Sequence, residues 1–162
     1  MCVYSIRSSS IKFFSVVIVC LLVLSAVITL SGNDYVYAMS NGIEVNFSGI
    51  KGDEQRRDFI KQFGLTADEE FTEESIVLPK SLDRVLGEYN QIQKKQGLDL
   101  SKYLGKRVVR YTYKISNYKH EGNVYVNLIV HRDRIIGCDI SSIDGGGFVL
   151  PLCDVSPENI KK

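Results

Sequence analysis

The stretch VVRYTYKISNYKHEGNVYVNLIVHRDRIIGCDI, residues 108–140, carries the strongest strand pattern of the sequence. Apolar and polar side chains alternate along it in three segments, at residues 108–118, 123–131 and 134–140. Such alternation is typical of strands that bury one face. Short polar turns separate the segments, and Arg132-Asp133 is the tighter of the two. The stretch therefore predicts three consecutive strands that form an antiparallel meander.

The sequence before this meander predicts two helices. Residues 53–63 begin with an aspartate that can cap a helix, and they are followed by Gly64, which can end it. Residues 81–96 form the clearer helix, which a serine can cap and Gly97 can stop. Its apolar positions recur at helical spacing and predict one buried stripe, formed by Leu82, Val85, Leu86, Tyr89, Ile92 and Gln93.

Shorter elements complete the predicted fold. Residues 43–47 alternate weakly and indicate a strand, whereas the acidic residues 66–74 predict a solvated loop before a short strand at residues 75–78. Three glycines at residues 145–147 predict a flexible loop before a last strand at residues 148–150. The expected fold class is α+β, with two helices packed on one face of an antiparallel β-meander and one N-terminal transmembrane helix before it.

The N-terminal part contains an uncharged apolar segment, FFSVVIVCLLVLSAVITL, at Phe13–Leu30. As a helix it would extend about 27 Å, close to the hydrocarbon thickness of a bilayer. Arg7 and Lys12 precede the segment, and no Lys or Arg lies between Ser31 and Val45. Because positive flanks stay on the cytoplasmic side, we expect the N-terminus inside and the rest of the chain outside the membrane.

These features predict the organisation of the chain, with two possible fates for the apolar segment. It is either a permanent single-pass anchor in the cell membrane or a signal peptide cleaved near Ala38, where Val36-Tyr37-Ala38 resembles a signal-peptidase site. Its length favours the anchor. The predicted parts are a cytoplasmic N-terminus, the membrane segment, a linker, an extracytoplasmic α+β domain and a tail, at residues 1–12, 13–30, 31–42, 43–155 and 156–162.

Composition excludes some classes of partner. The net charge of the chain is +1, with 20 basic and 19 acidic residues spread along it. Nucleic-acid binding needs a concentrated basic surface, so no nucleic-acid partner is expected. The charged fraction of 24% and apolar fraction of 44% are those of a folded domain, which makes intrinsic disorder of the body of the chain unlikely on composition.

The motifs of enzymes and cofactor sites are missing from the sequence. His120 and His131 lie away from any nucleophile signature, and no metal-ligand spacing, P-loop or dinucleotide fingerprint occurs. No catalytic, cofactor-binding or metal-binding residue is therefore predicted. Asp139 and Asp144 lie near the glycine loop and could do acid–base work, but solvated surface carboxylates are the favoured interpretation.

Cysteine and tyrosine usage gives two further expectations. Outside the apolar segment, Cys138 and Cys153 are candidates for a disulfide, because the glycine loop could fold the chain between them back on itself. Two thiols are the alternative. Three of the nine tyrosines, Tyr111, Tyr113 and Tyr125, fall on predicted strands. An aromatic sheet face can bind peptide or sugar, but packing beneath a helix is the favoured interpretation.

From Gln55 onward the chain resembles an uncharacterised bacterial family, domain of unknown function 4830, found mainly in Clostridia-like Firmicutes. The run EYNQIQKKQGLDLSKYLG at Glu88–Gly105 carries most of the resemblance. Shorter matches keep the same order, at residues 59–64, 77–79, 110–118, 127–130, 134–137 and 147–148. Where the family has tryptophan after the first helix glycine, this chain has Leu65. The resemblance implies no activity, cofactor or site residue, and members with an N-terminal anchor look similar at the start. Residues 88–105 are expected to serve mainly as a helix-to-strand connection.

The membrane segment and the absence of catalytic motifs favour a non-catalytic binding or sensory module at the cell envelope, with an envelope protein or peptide as partner. The alternatives are an envelope hydrolase with scattered carboxylates and, by analogy of fold alone, a cystatin-like inhibitor domain. A deep cleft lined by two carboxylates would favour the hydrolase, and a flat, exposed apolar strand face would favour the binding module.

Overall fold

The computed structural model describes residues 18–19, 38–40 and 43–161, without the side chains of residues 38–40 and 43–44. The chain divides into two compact units, residues 1–34 and residues 35–162. Apart from residues 18–19, the predicted membrane segment lies outside the described residues. In the part of the chain that is described, no helix has both the length and the apolar character needed to cross a membrane.

The second unit combines strands with two helices and three short 3-10 turns among its described residues. Its strands are β1 to β7, at Ala38–Ser40, Ile43–Val45, Ala67–Val77, Arg107–Ile115, Val124–His131, Arg134–Ser142 and Phe148–Leu150. Its helices are α1, Asp53–Lys61, and α2, Arg84–Lys95. The 3-10 turns are at Leu100–Tyr103, Leu152–Asp154 and Pro157–Asn159. The α+β class predicted from the sequence is confirmed.

The strands β3 to β7 form one antiparallel sheet in chain order, and β1 and β2 pair separately as an antiparallel pair. The predicted meander is β4, β5 and β6, which is confirmed. Arg132 and Asp133 join β5 to β6 with φ values of 48° and 61°. Both lie in the left-handed region that a two-residue hairpin turn requires, so the predicted tight turn is also confirmed.

The acidic stretch is not a loop, and that prediction is wrong. Residues 67–77 form β3, an eleven-residue edge strand that pairs with β4 along most of its length. Most of its side chains are exposed, so the carboxylates keep their water while the backbone pairs with β4. The sequence pattern did not predict this strand, because an exposed edge strand has no buried face that would produce an alternation of apolar residues.

Both helices begin at a different cap from the one predicted. Gly52 precedes α1, and its backbone N–H donates to Gln55 Oε1 at 2.8 Å. Asp83 caps α2, since its Oδ1 accepts from the backbone N–H of Leu86 at 2.7 Å. Gly64 has a φ of 73°, as the predicted left-handed stop after the first helix requires.

The two helices pack on opposite faces of the sheet, and the predicted packing on one face is wrong. Tyr113 of β4 belongs to the core cluster that contains Phe59 of α1. Val108 of the same strand belongs to the cluster that Leu86 of α2 packs against. These two strand residues are an odd number of positions apart, so their side chains point to opposite faces. The face with α1 is called the α1 face and the other the α2 face.

The larger core lies on the α1 face. Segments from both ends of the unit contribute to it, because Phe47 packs on Phe59 with ring centroids 5.5 Å apart and Leu152 is fully buried. The backbone N–H of Ile135 donates to the carbonyl of Phe47 at 2.8 Å, which ties the N-terminal segment to β6. The smaller core on the α2 face is formed by Leu78, Leu100, Val108, Ile129 and Ile136.

Candidate functional site

A groove of about 470 Å³ lies on the α2 face, between the N-terminal half of α2 and the sheet. Side chains from all five strands of the large sheet reach it, because α2 covers only part of this face. One wall is the end of β3 and the residues after it, Ile76 to Pro79, and the opposite wall includes Val149 of β7. The groove therefore crosses the sheet beside the first two turns of α2.

Buried polar groups form the floor of the groove. Asp139 of β6 is only 3% exposed, and its Oδ2 accepts a hydrogen bond from the Tyr89 hydroxyl of α2 at 2.6 Å. Its Oδ1 accepts from Asn127 Nδ2 at 2.8 Å. Asn127 also donates to Ser141 Oγ at 3.0 Å. The register explains this cluster, since Asn127 and Asp139 are direct cross-strand partners on β5 and β6.

Burial raises the pKa of both titratable groups of the floor. Burial raises the pKa of Asp139, although the hydrogen bonds from Tyr89 and Asn127 act in the opposite direction. Burial, followed by the charge of Asp139, raises the pKa of Tyr89 well above its ordinary value. A tyrosine with a raised pKa is a hydrogen-bond donor rather than a nucleophile near neutral pH. The pair therefore joins α2 to the sheet.

A single cation lines the groove among the described residues. Arg110 of β4 is exposed, and its Nη2 forms an ion pair with Glu74 of the neighbouring strand β3. The positive charge of Arg110 also acts to lower the pKa of Asp139. Asp83, at the start of α2, adds a carboxylate to the lining. The groove and its rim therefore carry more negative than positive groups.

The mouth of the groove is apolar and exposed to solvent. Val85 of α2 is 71% exposed, Val77 at the end of β3 is 59% exposed, and Val149 of β7 is 46% exposed. The predicted stripe of α2 is thus only partly buried, and its placement of Val85 and Leu82 in the core is wrong. Leu82 and Val85 both belong to the first part of the predicted helix. This part extends beyond the area of the sheet that the helix covers. Exposed apolar side chains around a concave site are typical of a binding surface.

Two glutamines hold the other end of α2 against the open edge of β6. Cys138 pairs with Leu128 of β5 on one side, but β7 pairs with β6 only from Ile140 onward, so no described strand lies on the other side of Cys138. The Cys138 N–H donates to Gln93 Oε1 at 2.8 Å, and Gln96 Nε2 donates to the Cys138 carbonyl. Gln93 Nε2 has no hydrogen-bond partner among the described residues, so its contribution comes from the acceptor oxygen. Gly137 lets the helix approach closely, because an added Cβ would lie 3.4 Å from Gln93 Oε1.

The run at residues 88–105 is confirmed as a connection from helix to strand. Asn90 is buried, and its Oδ1 accepts from the backbone N–H of Leu100 at 2.8 Å. Its Nδ2 donates to Asp99 Oδ1 at 2.9 Å, and the same oxygen accepts from the Ser101 N–H at 3.0 Å. The hydrogen bond from Asn90, followed by that from Ser101, lowers the pKa of Asp99 to about 2. This network fixes the turn after α2 and thereby the position of the helix.

The groove suits binding better than acid–base chemistry. Two carboxylates, Asp83 and Asp139, line it, as the hydrolase alternative would require. Asp83 is engaged as the cap of α2, however, and both oxygens of Asp139 accept hydrogen bonds within the fold. A general acid or base must reach the substrate with a proton-carrying atom. Asp139 has no carboxylate oxygen free of a structural partner, and Asp83 is held as the cap of α2 through its Oδ1.

Of the residues considered for catalysis from the sequence, the structure brings His120 together with the backbone carbonyl of Asp144, and it places His131 and Asp139 elsewhere on the sheet. His120 Nε2 lies 3.0 Å from the Asp144 carbonyl, beside the glycine loop. His131 is distant along the sheet, and its Nδ1 lies 3.1 Å from the Arg107 carbonyl. Asp144 Oδ2 accepts from the Asn123 N–H at 2.8 Å, which fixes the turn before β5. Over residues 43–161, no group of three or more His, Cys, Asp or Glu side chains is placed to hold a metal ion.

The structure places Cys138 in the buried core and Cys153, half-buried, in the 3-10 turn Leu152–Asp154, both as thiols. Burial raises the pKa of the Cys138 thiol, and the charges of Asp139 and Cys153 raise it further. Burial raises the pKa of Cys153 to about 11. The disulfide stays a prediction. Full thiol labelling of both cysteines, in denatured protein purified without reductant, would exclude it.

Sequence reasoning missed the central residue of the floor and placed the tyrosines correctly. Asp139 is buried, so its interpretation as a solvated carboxylate is wrong. The sequence does contain a signal for burial of Asp139. The residue lies inside a predicted strand, between two apolar residues whose side chains point to the opposite face of the sheet. Tyr113 is fully buried and Tyr111 packs against the α1-face core, which confirms packing beneath a helix. Tyr125 lies on the α2 face, where it is half-buried.

Comparison with known families gives one match. The model of a family described as Domain of unknown function (DUF4830) matches residues 59–140, just over half of the chain. The matched region includes α2, its connection and the strands β3 to β5, and it ends at Ile140 on β6. It therefore contains all the polar groups of the groove floor except Ser141. No curated protein and no solved structure matches the chain.

Proposed function

We propose that this chain, which belongs to the DUF4830 family, is a non-catalytic binding module of the cell envelope and that its ligand occupies the groove on the α2 face. The observation that carries the proposal is an exposed apolar mouth above a buried floor of polar groups. A mouth of this kind offers apolar area to a partner. The floor orients the ligand, because its hydrogen-bonding groups are held in fixed positions.

The size and exposure of the groove support this role. Its volume of about 470 Å³ is in the range of known ligand sites, roughly 300 to 1,000 Å³. Val85 and Val77 are 71% and 59% exposed at the mouth of the groove. Covering them would remove apolar surface from water at about 25 cal/mol for each Å². A partner with an apolar side chain would therefore gain free energy at this site.

The rigidity of the groove also supports a binding role. The Gln93 and Gln96 contacts attach the C-terminal half of α2 to β6, and the Tyr89–Asp139 hydrogen bond attaches its middle. The wall formed by α2 is thus positioned before any ligand arrives. A preorganised site loses less conformational entropy on binding.

The proposed location follows from the N-terminal segment at residues 13–30 and its positive flank. The chain would be held in the membrane by this segment, with residues 31–162 outside the cytoplasm. An alkaline phosphatase fused after Lys162 should then be active in cells. Activity of a cytoplasmic reporter alone at the same position would reverse the orientation. N-terminal sequencing of the purified protein would separate the anchored form from one cleaved near Ala38.

The binding role can be tested without knowing the ligand. The full chain, reconstituted in zwitterionic lipid nanodiscs, would be presented with a random library of twelve-residue peptides. Bound peptides would then be measured one by one against the Val85→Asp variant, which places a charge at the groove mouth. The matched control is Ile143→Asp, which changes an apolar residue that is 90% exposed on the loop between β6 and β7.

The expected result is a set of peptides whose affinity falls at least tenfold in Val85→Asp and stays unchanged in Ile143→Asp. Circular dichroism would show that both variants keep the fold. A library that gives no peptide with this dependence would contradict the binding role. Hydrolysis of bound peptides that is lost in Asp139→Asn, with the fold intact, would instead establish the hydrolase alternative.

A further inference from the structure

One edge of the large sheet is open over most of β3. The strand pairs with β4 on one side, and no strand among the described residues pairs with its other side. Arg57 of α1 covers only the beginning of this edge, since its guanidinium donates to the carbonyls of residues 67–69. Residues 70–77 are left with backbone groups that face solvent along the edge. Such an edge can pair with an added strand.

The open edge carries a concentration of negative charge. Glu70, Glu73 and Glu74 are all exposed, and Glu69 precedes them. Over residues 43–161 the only ion pair of β3 is the one between Glu74 and Arg110. Like charges side by side raise the free energy of the bare edge, and a cationic partner lowers it.

The acidic edge leads directly into the groove. The last residues of β3, Ile76 and Val77, line the groove together with Val85 of α2. Along the strand, the surface therefore changes from acidic at residues 70–74 to apolar at residues 76–77. Glu74 and Ile76 are two positions apart, so their side chains share the α2 face. An extended ligand beside β3 would meet both surfaces with one row of side chains.

We propose that the open edge of β3 and the groove together bind an extended peptide segment of another protein, one that carries lysine or arginine followed or preceded by an apolar residue. This inference rests on the proposed binding role and specifies its ligand. The peptide adds to the sheet as a sixth strand. Its basic side chains lie near Glu70 and Glu74, which share the α2 face, and its apolar side chain enters the groove beside Val85. Backbone hydrogen bonds supply affinity, and the two surfaces supply specificity.

The charge pattern favours this occupant over two others. If two copies of the chain paired through β3, the carboxylates of one edge would face those of the other, which is unfavourable. Anionic lipid headgroups would be repelled by the same residues. A basic peptide meets neither obstacle. Electrostatic attraction would also speed its association, and salt would weaken that effect.

The test uses synthetic peptides of defined sequence and the full chain in zwitterionic nanodiscs. The probe is fluorescein-labelled KTKTKTVTV, together with its reversed sequence, because the added strand can run in either direction. Each peptide places lysine and valine on one face and threonine on the other. Two comparison peptides are ETETETVTV, with reversed charge, and a fully N-methylated KTKTKTVTV, which cannot donate backbone hydrogen bonds. Fluorescence anisotropy would give the affinities at low and high salt.

We expect one lysine peptide to bind at least tenfold more tightly than both comparison peptides, with an affinity that falls as salt rises. The double variant Glu70→Lys with Glu74→Lys, which reverses the two charges on the α2 face of β3, should weaken it at least tenfold. The control Glu121→Lys, an exposed glutamate in the turn before β5, should leave it unchanged. Circular dichroism would verify the fold of each variant, and size-exclusion chromatography would show whether copies associate through the edge instead.

Two results would overturn the inference in ways that can be told apart. If library peptides depend on Val85 but neither lysine peptide binds, or if the Glu70 and Glu74 changes leave the affinity unaltered, the groove binds a ligand but β3 does not pair with a basic strand. If no peptide of any charge depends on Val85, the binding role and this inference both fail.

Discussion

The two faces of the large sheet come from the same strands, but they are covered to different extents. On the α1 face, Tyr113 is fully buried, and its hydroxyl donates to Asp53 Oδ1 at 2.7 Å while accepting from Arg56 Nε at 2.6 Å. On the α2 face, Asp139 and Tyr89 form a comparable polar contact. The second contact lies beneath the open groove.

The difference comes from how much chain is available to cover each face. Four parts of the unit pack on the α1 face: the segment around Phe47, helix α1, the turn at Leu152–Asp154 and the residues near Ile160. The α2 face receives α2 and the turn at Leu100–Tyr103. A face that is covered completely serves stability, and a face that is covered in part leaves apolar surface for a partner.

The largest expected contrast is between one buried and one exposed side chain. Phe59→Ala removes a fully buried ring that packs on Phe47 and Phe63, and should lower the free energy of unfolding by about 3–5 kcal/mol. Val85→Ala removes a mostly exposed side chain and should change it by less than about 0.5 kcal/mol. Urea unfolding of the full chain in micelles, followed by circular dichroism, measures both. Equal losses of unfolding free energy in the two variants would show that Val85 is buried as Phe59 is, and that the α2 face has no exposed groove.

A smaller loss of unfolding free energy is expected when a contact that attaches α2 to β6 is removed. Gln93→Ala removes the oxygen that accepts from the Cys138 N–H, which leaves a buried donor unpaired at a cost of about 1–3 kcal/mol. Gln91→Ala, on the exposed side of the same helix, is the matched control and should cost less than about 0.5 kcal/mol. The same unfolding experiment applies. If Gln91→Ala costs as much as Gln93→Ala, the glutamine does not hold the helix to the strand.

The smallest effect concerns the turn after α2 and appears only in acid. The folded pKa of Asp99 is about 2, below its ordinary value of 3.8. A lowered folded pKa adds stability that is present above pH 3.8 and is lost as the pH falls towards about 2. Asp99→Asn should therefore reduce the loss of melting temperature across this window. If the curves of melting temperature against pH are parallel for the variant and the original chain, Asp99 does not contribute to the loss of stability in acid.

Sequence reasoning worked where one face of an element is fully buried. The strands β4 to β6 were found because Tyr113 and Leu128 belong to rows that alternate with polar residues. It failed for β3, whose exposed edge has no such row, and for the start of the predicted helix at residues 81–96, since Leu82 precedes α2 and Val85 is exposed. Leu82 and Val85 have helical spacing like a buried stripe, but the spacing cannot show where the sheet beneath them ends.

The groove floor could be predicted only in part. Asn127 and Asp139 are polar residues inside strands, which is a signal for a second, less apolar face. Their contact with each other depends on the register of β5 and β6, which an irregularity between Ile129 and Val130 shifts by one residue, and the pattern of the sequence does not show that shift. The contact of Asp139 with Tyr89 depends in turn on the face that α2 covers, which was predicted incorrectly.

The central claim is that one face of the sheet binds while the other maintains the fold. Hydrogen–deuterium exchange of the full chain, with and without a library-selected peptide at saturation, tests it most directly. With peptide bound, we expect slower exchange at residues 70–79 and 84–89 and no change at residues 53–61 of α1. Slower exchange at residues 53–61, with none at residues 84–89, would contradict it.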